Sequence, residues 1–359
     1  MNNNIGVKKV SVVILNWNGK KWMEKFLPSV LSHTPAEWAE IIVADNGSTD
    51  GSLEMLKEKF PAVGLLPLDR NYGFAEGYNK AIQQIRSEYV VLLNSDVEVT
   101  PGWLEAPVAS LDEDRSLAGV QPKIRSWHKR DFFEYAGAAG GYIDRYGYPY
   151  CRGRVLHIVE KDTGQYDMPA DLLWASGACL IMRTDVYKEA GGLDGTFFAH
   201  QEEIDLCWRL RARGYRLRCI PQSVVYHVGG GTLQAESPRK TFLNFRNNLL
   251  MLYKNLSPRE WKRVMRIRFW LDYLAASKFL VCGRFQNAKA VYEARKAFFQ
   301  LTPSYEAVRQ ENLQKTILHT IPEVTAGSII FNFYLKGKKK FSALGYNNKG
   351  ITSQRDSTV

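Results

Sequence analysis

The chain of 359 residues carries a formal net charge of +11, with 45% hydrophobic and 24% charged residues, 28 Gly and 14 Pro. That composition excludes a disordered, collagen-like or low-complexity protein and suffices for one large domain or two smaller ones. The charge is uneven: residues 236–359 hold 22 Lys and Arg against 8 Asp and Glu, net +14, leaving 26 against 29, net −3, for residues 1–235. Five scattered cysteines, Cys151, Cys179, Cys207, Cys219 and Cys282, form no C-x-x-C pair. This argues against a disulfide framework or a structural zinc site and fits a reducing compartment. The apolar run at residues 10–15 is too short for a signal peptide. The run at 269–282 is interrupted by Asp272 and Lys278 and falls short of the roughly 20 residues a spanning helix needs. The expectation is a cytoplasmic protein without a transmembrane segment.

In chain order, residues 10–15 read as a first strand, 22–31 as an amphipathic helix and 41–44 as a second strand. Helices follow at 52–60 and 74–85, then a buried strand at 89–93. Short β-branched runs alternating with helical patterns indicate βαβ units and a largely parallel sheet covered on both faces. Residues 116–171 are irregular and suit loops with antiparallel strands. A buried run at 172–182 leads to helices near 185–190 and 202–213, then to two short strands at 215–220 and 224–227. Beyond Ser237 the pattern is almost wholly helical. Three regions are expected: an α/β domain over 1–235, a basic amphipathic helical region over 236–335, and a basic tail over 336–359.

Ligands of open α/β sheets bind outside the carboxyl ends of the strands, and Asn16, Asp45 and the block Asn94-Ser95-Asp96 lie just past three such ends. An acid there can hold a hard divalent cation that bridges two phosphates, although Asn, Ser and Asp also form ordinary turns. Asp45 opens Asp45-Asn46-Gly47-Ser48-Thr49-Asp50, where a carboxylate can accept from a base or ribose. The same block can equally cap the next helix. His227 can complete a metal shell begun by Asp96, ahead of the closing loop suggested by Gly229-Gly230-Gly231-Thr232, or can be simply packed. At the start of a helix stand Glu202, Glu203 and Asp205. Neighbouring acids there can raise one pKa towards that of a general base, or can merely complement the helix dipole. Asp205 and Arg209 have the i, i+4 spacing of an ion pair.

Taken together, Val12 to Asn18, the Asp45 block, Arg70-Asn71-Tyr72-Gly73-Phe74 with Asn79, and Asn94-Ser95-Asp96 resemble the family 2 inverting glycosyltransferases of GT-A fold. The likeness is to the bacterial rhamnosyltransferase-like branch that builds cell-surface polysaccharides, and it covers roughly residues 8–235. The resemblance implies that Asn16, Asp45, Arg70, Asn71 and Asn94 bind the nucleotide, Asp45 reading the base. It implies that Asp96 and His227 bind Mg²⁺ or Mn²⁺. Asn94 stands where the first Asp of an Asp-x-Asp motif is usual, which removes one negative charge. Glu202-Glu203 resembles the family's Glu-Asp motif, making Glu203 the first choice of catalytic base, with Glu202 or Asp205 as alternatives. Trp174 and Gly177 resemble the acceptor-side segment, Trp174 stacking on a sugar or belonging to the core.

The basic, aromatic helices after 236 suit either packing on the main domain or contact with anionic lipid at the inner face of the cytoplasmic membrane. No recognised nucleic-acid module accompanies the charge. The resulting expectation is transfer of a sugar from dTDP-rhamnose or a UDP-hexose to a hydroxyl of a glycan or lipid-linked acceptor. The alternative is a catalytically silent nucleotide-sugar or polyanion-binding protein.

Overall fold

The structure is a computed structural model, and residues 8–229 and 237–345 are described. The glycine stretch from 230 and the end of the basic tail from 346 lie outside the described residues.

The first half builds β1 (Val10–Asn16), α1 (Lys20–His33), β2 (Ala39–Asp45), α2 (Ser52–Lys59), β3 (Gly64–Pro67), α3 (Gly73–Gln83) and β4 (Tyr89–Asn94). Next come β5 (Val97–Val99), α4 (Glu105–Glu113) and β6 (Leu117–Ser126), then a small meander of β7 (Gly141–Asp144), β8 (Pro149–Cys151), β9 (Arg154–Val155) and β10 (Ile158–Val159). The chain then returns through β11 (Ala170–Leu172), β12 (Cys179–Arg183), α5 (Thr184–Glu189), α6 (Glu202–Ala212) and β13 (Arg216–His227). It ends in α7 (Pro238–Asn255), α8 (Pro258–Val281), α9 (Phe285–Leu301), α10 (Glu306–Gln314), β14 (Val324–Thr325) and α11 (Ile329–Tyr334).

The main sheet runs β11-β13-β6-β12-β4-β1-β2-β3, with β5 on β13. It is mixed: β1, β2, β3 and β4 are parallel, and β12 runs antiparallel between β4 and β6. The two-residue period of a strand sends alternate side chains to opposite faces, so Val13, Val90 and Leu92 enter one core and Val12, Ile14, Val91 and Leu93 the other. On the second face lie α1, α2 and α4 through Met23, Leu27, Met55, Leu56 and Val108. The first face is shared by α3 and α6 with the C-terminal helices, whose Leu249, Leu252, Phe298 and Phe333 join the same core. The second sheet, β10-β9-β8-β7-β14, ties the C-terminal region to the centre of the chain, since β14 pairs with β7.

Two readings need correction. The segment 116–171 holds a ten-residue interior strand, β6, parallel to β13, as well as the antiparallel meander. Gly119, Gln121, Pro122 and Lys123 break its apolar signature although all ten residues are buried or nearly so. The two short strands expected at 215–227 are one strand, β13, whose register with β6 shifts between Ile220 and Val224. Pro221 there has no N–H for the ladder, and a bulge accommodates it.

Candidate active site

Sheet register gathers the polar residues onto one edge. Asn16 pairs with Asp45 across β1 and β2, and Leu15 with Asn94 across β1 and β4. His227 ends β13 at the same edge, beside Ser126 of the parallel β6. Because β12 is antiparallel, its start lies there too: Cys179 pairs with Leu93, and the Asn94 N–H donates to Ala178 O over 3.0 Å. A tight turn at Gly214 joins α6 to β13, so the two run in opposite senses and the α6 N-terminus points back to this edge.

Where the resemblance expects the nucleotide, Asp45 is buried. Its carboxylate accepts from Asn16 Nδ2 at 2.9 Å and from the Ser48 N–H at 3.0 Å. Asn16 Oδ1 is buried with no partner among the described residues. Asn46 braces the neighbouring loop, donating to Asn71 Oδ1 and Gly73 O and accepting from the Tyr72 N–H. Asn71 therefore shapes the loop through its side-chain oxygen, which also accepts from the Gly73 N–H. Arg70 is exposed, its guanidinium 4.9 Å from the centre of the Tyr72 ring.

Asp96 and His227 meet although 131 residues separate them: His227 Nε2 lies 3.1 Å from Asp96 Oδ1. On the other ring nitrogen, Nδ1 lies 3.3 Å from Glu134 Oε2, and Asn94 Nδ2 is 3.3 Å from Nε2. Burial alone would disfavour the imidazolium, but the carboxylates of Glu134 and Asp96 outweigh it and push the His227 pKa up to about 10. Burial likewise opposes the Asp96 carboxylate, and His227 prevails, holding its pKa below the usual value. Gly229, at φ +72°, lets the chain pass this cluster, since a Cβ there would lie 2.7 Å from Glu134 Oε1.

The acids of α6 are presented by a strained loop. Phe198, His200 and Gln201 all have positive φ, between 63° and 74°, a conformation that costs non-glycine residues about 1 kcal/mol or more each. Phe198 O accepts from the Phe74 N–H at 2.7 Å, and the Phe198 ring fills the space where a Gly73 Cβ would stand, 2.5 Å away. From α7, Asn247 Nδ2 reaches Phe197 O, Ala199 O and His200 O at 2.9, 3.0 and 2.8 Å. Glu202 is buried, Glu203 is partly exposed, and the Oε2 atom of each is buried without a partner among the described residues. Burial raises both carboxyls, Glu203 to about 7, and the Glu203 charge raises Glu202 further. Half-buried His200 is pushed down to about 4 by loss of solvent, with Lys240 adding to the effect, so it stays neutral. Asp205 is closed off as a base. Its carboxylate is engaged by Arg209 at 2.9 Å, Lys254 at 2.7 Å and Asn255 at 3.0 Å, and despite burial these cations hold it ionised. Glu134 and Glu203 both add to the effect of burial in raising the Cys151 thiol.

A model of the family described as Glycosyl transferase family 2 matches residues 11–191, half of the chain. The chain belongs to glycosyl transferase family 2. The matched part of this glycosyltransferase carries Asn16, Asp45, Asn94 and Asp96 and stops short of Glu202. Over 234 residues it is 26% identical to the N-acetylglucosaminyl-diphospho-decaprenol L-rhamnosyltransferase of Mycobacterium tuberculosis, covering 60% of this chain and 75% of that protein. To the O-antigen biosynthesis protein RfbC of Myxococcus xanthus it is 25% identical over 235 residues, covering 65% of this chain and 18% of that one. The solved structure of S. aureus TarS 1–349 with UDP-GlcNAc aligns at a TM-score of 0.54 and 16% identity, over 86% of this chain and 89% of that one. GalNAc-T7 with UDP, GalNAc and Mn²⁺ aligns at 0.55 and 17%, over 90% of this chain and 59% of that one. These likenesses show the GT-A fold that the sequence motifs implied.

On the acceptor side, Trp174 of this glycosyltransferase is core rather than a sugar platform. It is 2% exposed, its indole N–H donates to Tyr142 O at 2.9 Å, and its ring lies on Gly141, where any Cβ would collide. Gly177 does stand at the strand-end edge, buried against Phe74. Glu134, the strained loop and Asn247 escaped the sequence reading. Glu134 sits in a segment without periodicity, and nothing in Phe198-Ala199-His200-Gln201 announces positive φ.

Proposed function

We propose that this glycosyltransferase moves a sugar, with inversion, from a nucleotide-diphosphate sugar to a hydroxyl of a glycan or lipid-linked acceptor. The setting proposed is cell-surface polysaccharide synthesis on the cytoplasmic side of the membrane. The donor proposed is dTDP-rhamnose or a UDP-hexose. Support comes from an M. tuberculosis relative named as an L-rhamnosyltransferase acting on a decaprenol-linked acceptor, from an O-antigen relative, and from the UDP-GlcNAc in TarS.

The observation that carries the reading is the pair Glu202 and Glu203, each with an unpartnered buried oxygen and a raised pKa, on the edge that also holds Asp45 and Asp96. A silent binding protein has no use for two such carboxylates, and burying them destabilises the fold. Asp45 and Asn16 bind the nucleoside. Asp96 and His227 fit a divalent ion shared with the substrate: one carboxylate and one imidazole converge, and no cluster of three or more ligating side chains occurs among the described residues. Mg²⁺ and Mn²⁺ are hard ions that accept one or two protein ligands and take the remainder from phosphate and water. When bound, such an ion supplies positive charge to the departing diphosphate. Glu203 accepts the proton of the acceptor hydroxyl as its oxygen bonds to the anomeric carbon from the face opposite the leaving group. The bond from that carbon to phosphate oxygen breaks in the same displacement, releasing nucleoside diphosphate and inverting the centre. Incubation with candidate donors and acceptors, followed by nucleoside diphosphate release and NMR of the new linkage, tests this. Asp96→Ala and Glu203→Gln should abolish turnover, and full activity in both variants would refute the assignment.

A further inference from the structure

We infer that the outward face shared by α8 and α11 docks on an anionic lipid surface. The 24 residues of α8 make a rod about 36 Å long. Only Val264, Arg268 and Asp272 of this helix are buried. That inner stripe is fixed in rotation. Arg268 pairs with Asp272 at 3.0 Å and donates to Tyr146 O at 2.8 Å, and Asp272 receives Arg295 at 2.6 Å. The opposite face is therefore held outward, and it is apolar: Trp270 is 72% exposed, Leu274 66% and Val281 89%, followed by Phe285 at 67%. On the neighbouring α11, Phe331 and Tyr334 are exposed as well, as is Leu335 just past its end, and Lys278 of α8 lies 5.8 Å from the centre of the Tyr334 ring, joining the two helices into one surface. So many large apolar side chains on one face mark an interaction site.

Charge selects the occupant. Lys262, Arg263, Arg266 and Lys278 are exposed on α8 and Lys336 just past α11, while the acids of α8 are the buried Asp272 and Glu260, which accepts from the Ser257 hydroxyl in the first turn. A second copy of the chain would set like charges against like over most of the face, Glu260 being the one exposed acid of α8. A soluble polyanion would satisfy the cations and leave the tryptophan and leucine in water. An anionic bilayer takes both, headgroups against Lys and Arg and the acyl boundary against the apolar stripe. No helix among the described residues is long and apolar enough to cross a membrane, so the attachment lies in the interface. Arg268 also donates to Asn248 Oδ1, and Asn248 Nδ2 reaches Gln201 Oε1 at 3.1 Å, so two hydrogen bonds link the docking helix to the residue before Glu202.

This inference goes beyond the transfer reaction and is tested without it, by sedimentation of the full chain with phosphatidylglycerol or phosphatidylcholine vesicles. The wild type should pellet with phosphatidylglycerol vesicles, bind phosphatidylcholine at least tenfold more weakly, and release in high salt. Trp270→Ser with Leu274→Ser should lower vesicle affinity at least tenfold. Lys278→Gln should lower it about fivefold, in line with a contribution of about 1 kcal/mol per basic residue. Both sets alter exposed side chains, so the thermal midpoint should hold. Equal binding to both lipids, vesicle binding untouched by the paired serine variant, or a dimer in solution that this variant dissolves would each overturn the inference.

Discussion

Replacing Asn247 by leucine removes a clamp without changing side-chain volume much. One amide carries two hydrogens and faces three carbonyls, of Phe197, Ala199 and His200, from a fully buried position. Losing two hydrogen bonds at about 1 kcal/mol each, with buried carbonyls left unsatisfied, gives a penalty of about 2–3 kcal/mol. That matches the strain held in Phe198, His200 and Gln201, roughly 1 kcal/mol for each positive φ. With clamp and strain so nearly balanced, cutting the clamp should let the loop relax and move Glu202 and Glu203, and displacement of about 1 Å can slow a reaction a hundredfold. Nucleoside diphosphate release measured across donor concentrations should show kcat down at least tenfold with donor KM within about threefold, alongside a fall of several degrees in Tm. A lowered Tm with kcat intact would show that Asn247 supports the fold alone, and the positioning argument would fail.

Further outcomes follow from the titrating and crowded groups. Since the Glu203 pKa is raised to about 7 and the base acts when ionised, kcat/KM should climb as pH rises through 7; a flat profile from pH 5.5 to 8.5 would remove Glu203 from the role. The same raised values mean that the native state favours protonated carboxyls. The Glu203 contribution is complete below the ordinary glutamate pKa and is lost as pH rises through about 7, so Glu203→Gln should raise Tm at pH 8 and leave it unchanged near pH 4. Mn²⁺ binding by calorimetry should be weak to the protein alone and at least tenfold tighter with nucleoside diphosphate present, because the proposed ligands Asp96 and His227 would supply only part of the shell; tight binding without nucleotide would contradict a shared ion. Gly73→Ala should destabilise by about 2–3 kcal/mol, against about 1 kcal/mol for Gly191→Ala. Both positions have positive φ, but only Gly73 also faces a ring, and equal losses in denaturant titrations would show the Phe198 contact to be slack.

The first half of the fold was legible because its strands are unbroken β-branched runs that end in polar residues. Asn16, Asp45 and Asn94 could be placed on one edge from that pattern, and register puts them there. The strand β6 was not legible, because Pro122 and Lys123 are tolerated by a bulged partner and by ion pairs of the buried Lys123 with Asp162 and Asp167 that no local pattern encodes. His227 was found through the resemblance, yet Glu134, which sets its charge, belongs to an irregular segment and is defined only by a contact across the fold. Trp174 shows the limit of residue type: the same indole suits a sugar face or a core, and Gly141 beneath it decides for the core. Asn247, in the middle of an amphipathic helix, reads as solvent-facing until the carbonyls it serves are seen.

The grip of α7 on the chemistry constrains how this enzyme can be cut or recombined. Lys254 reaches Asp205 and Asp194, and Asn247 and Asn248 reach the residues just ahead of Glu202. A chimera that kept residues 8–229 and borrowed its C-terminal helices from another transferase would inherit Asp45 and Asp96 in place with the loop ahead of the proposed base unsupported. Grafts that carry residues 194–205 together with α7 as one cassette should preserve turnover, which makes that pairing the practical unit of exchange between transferases.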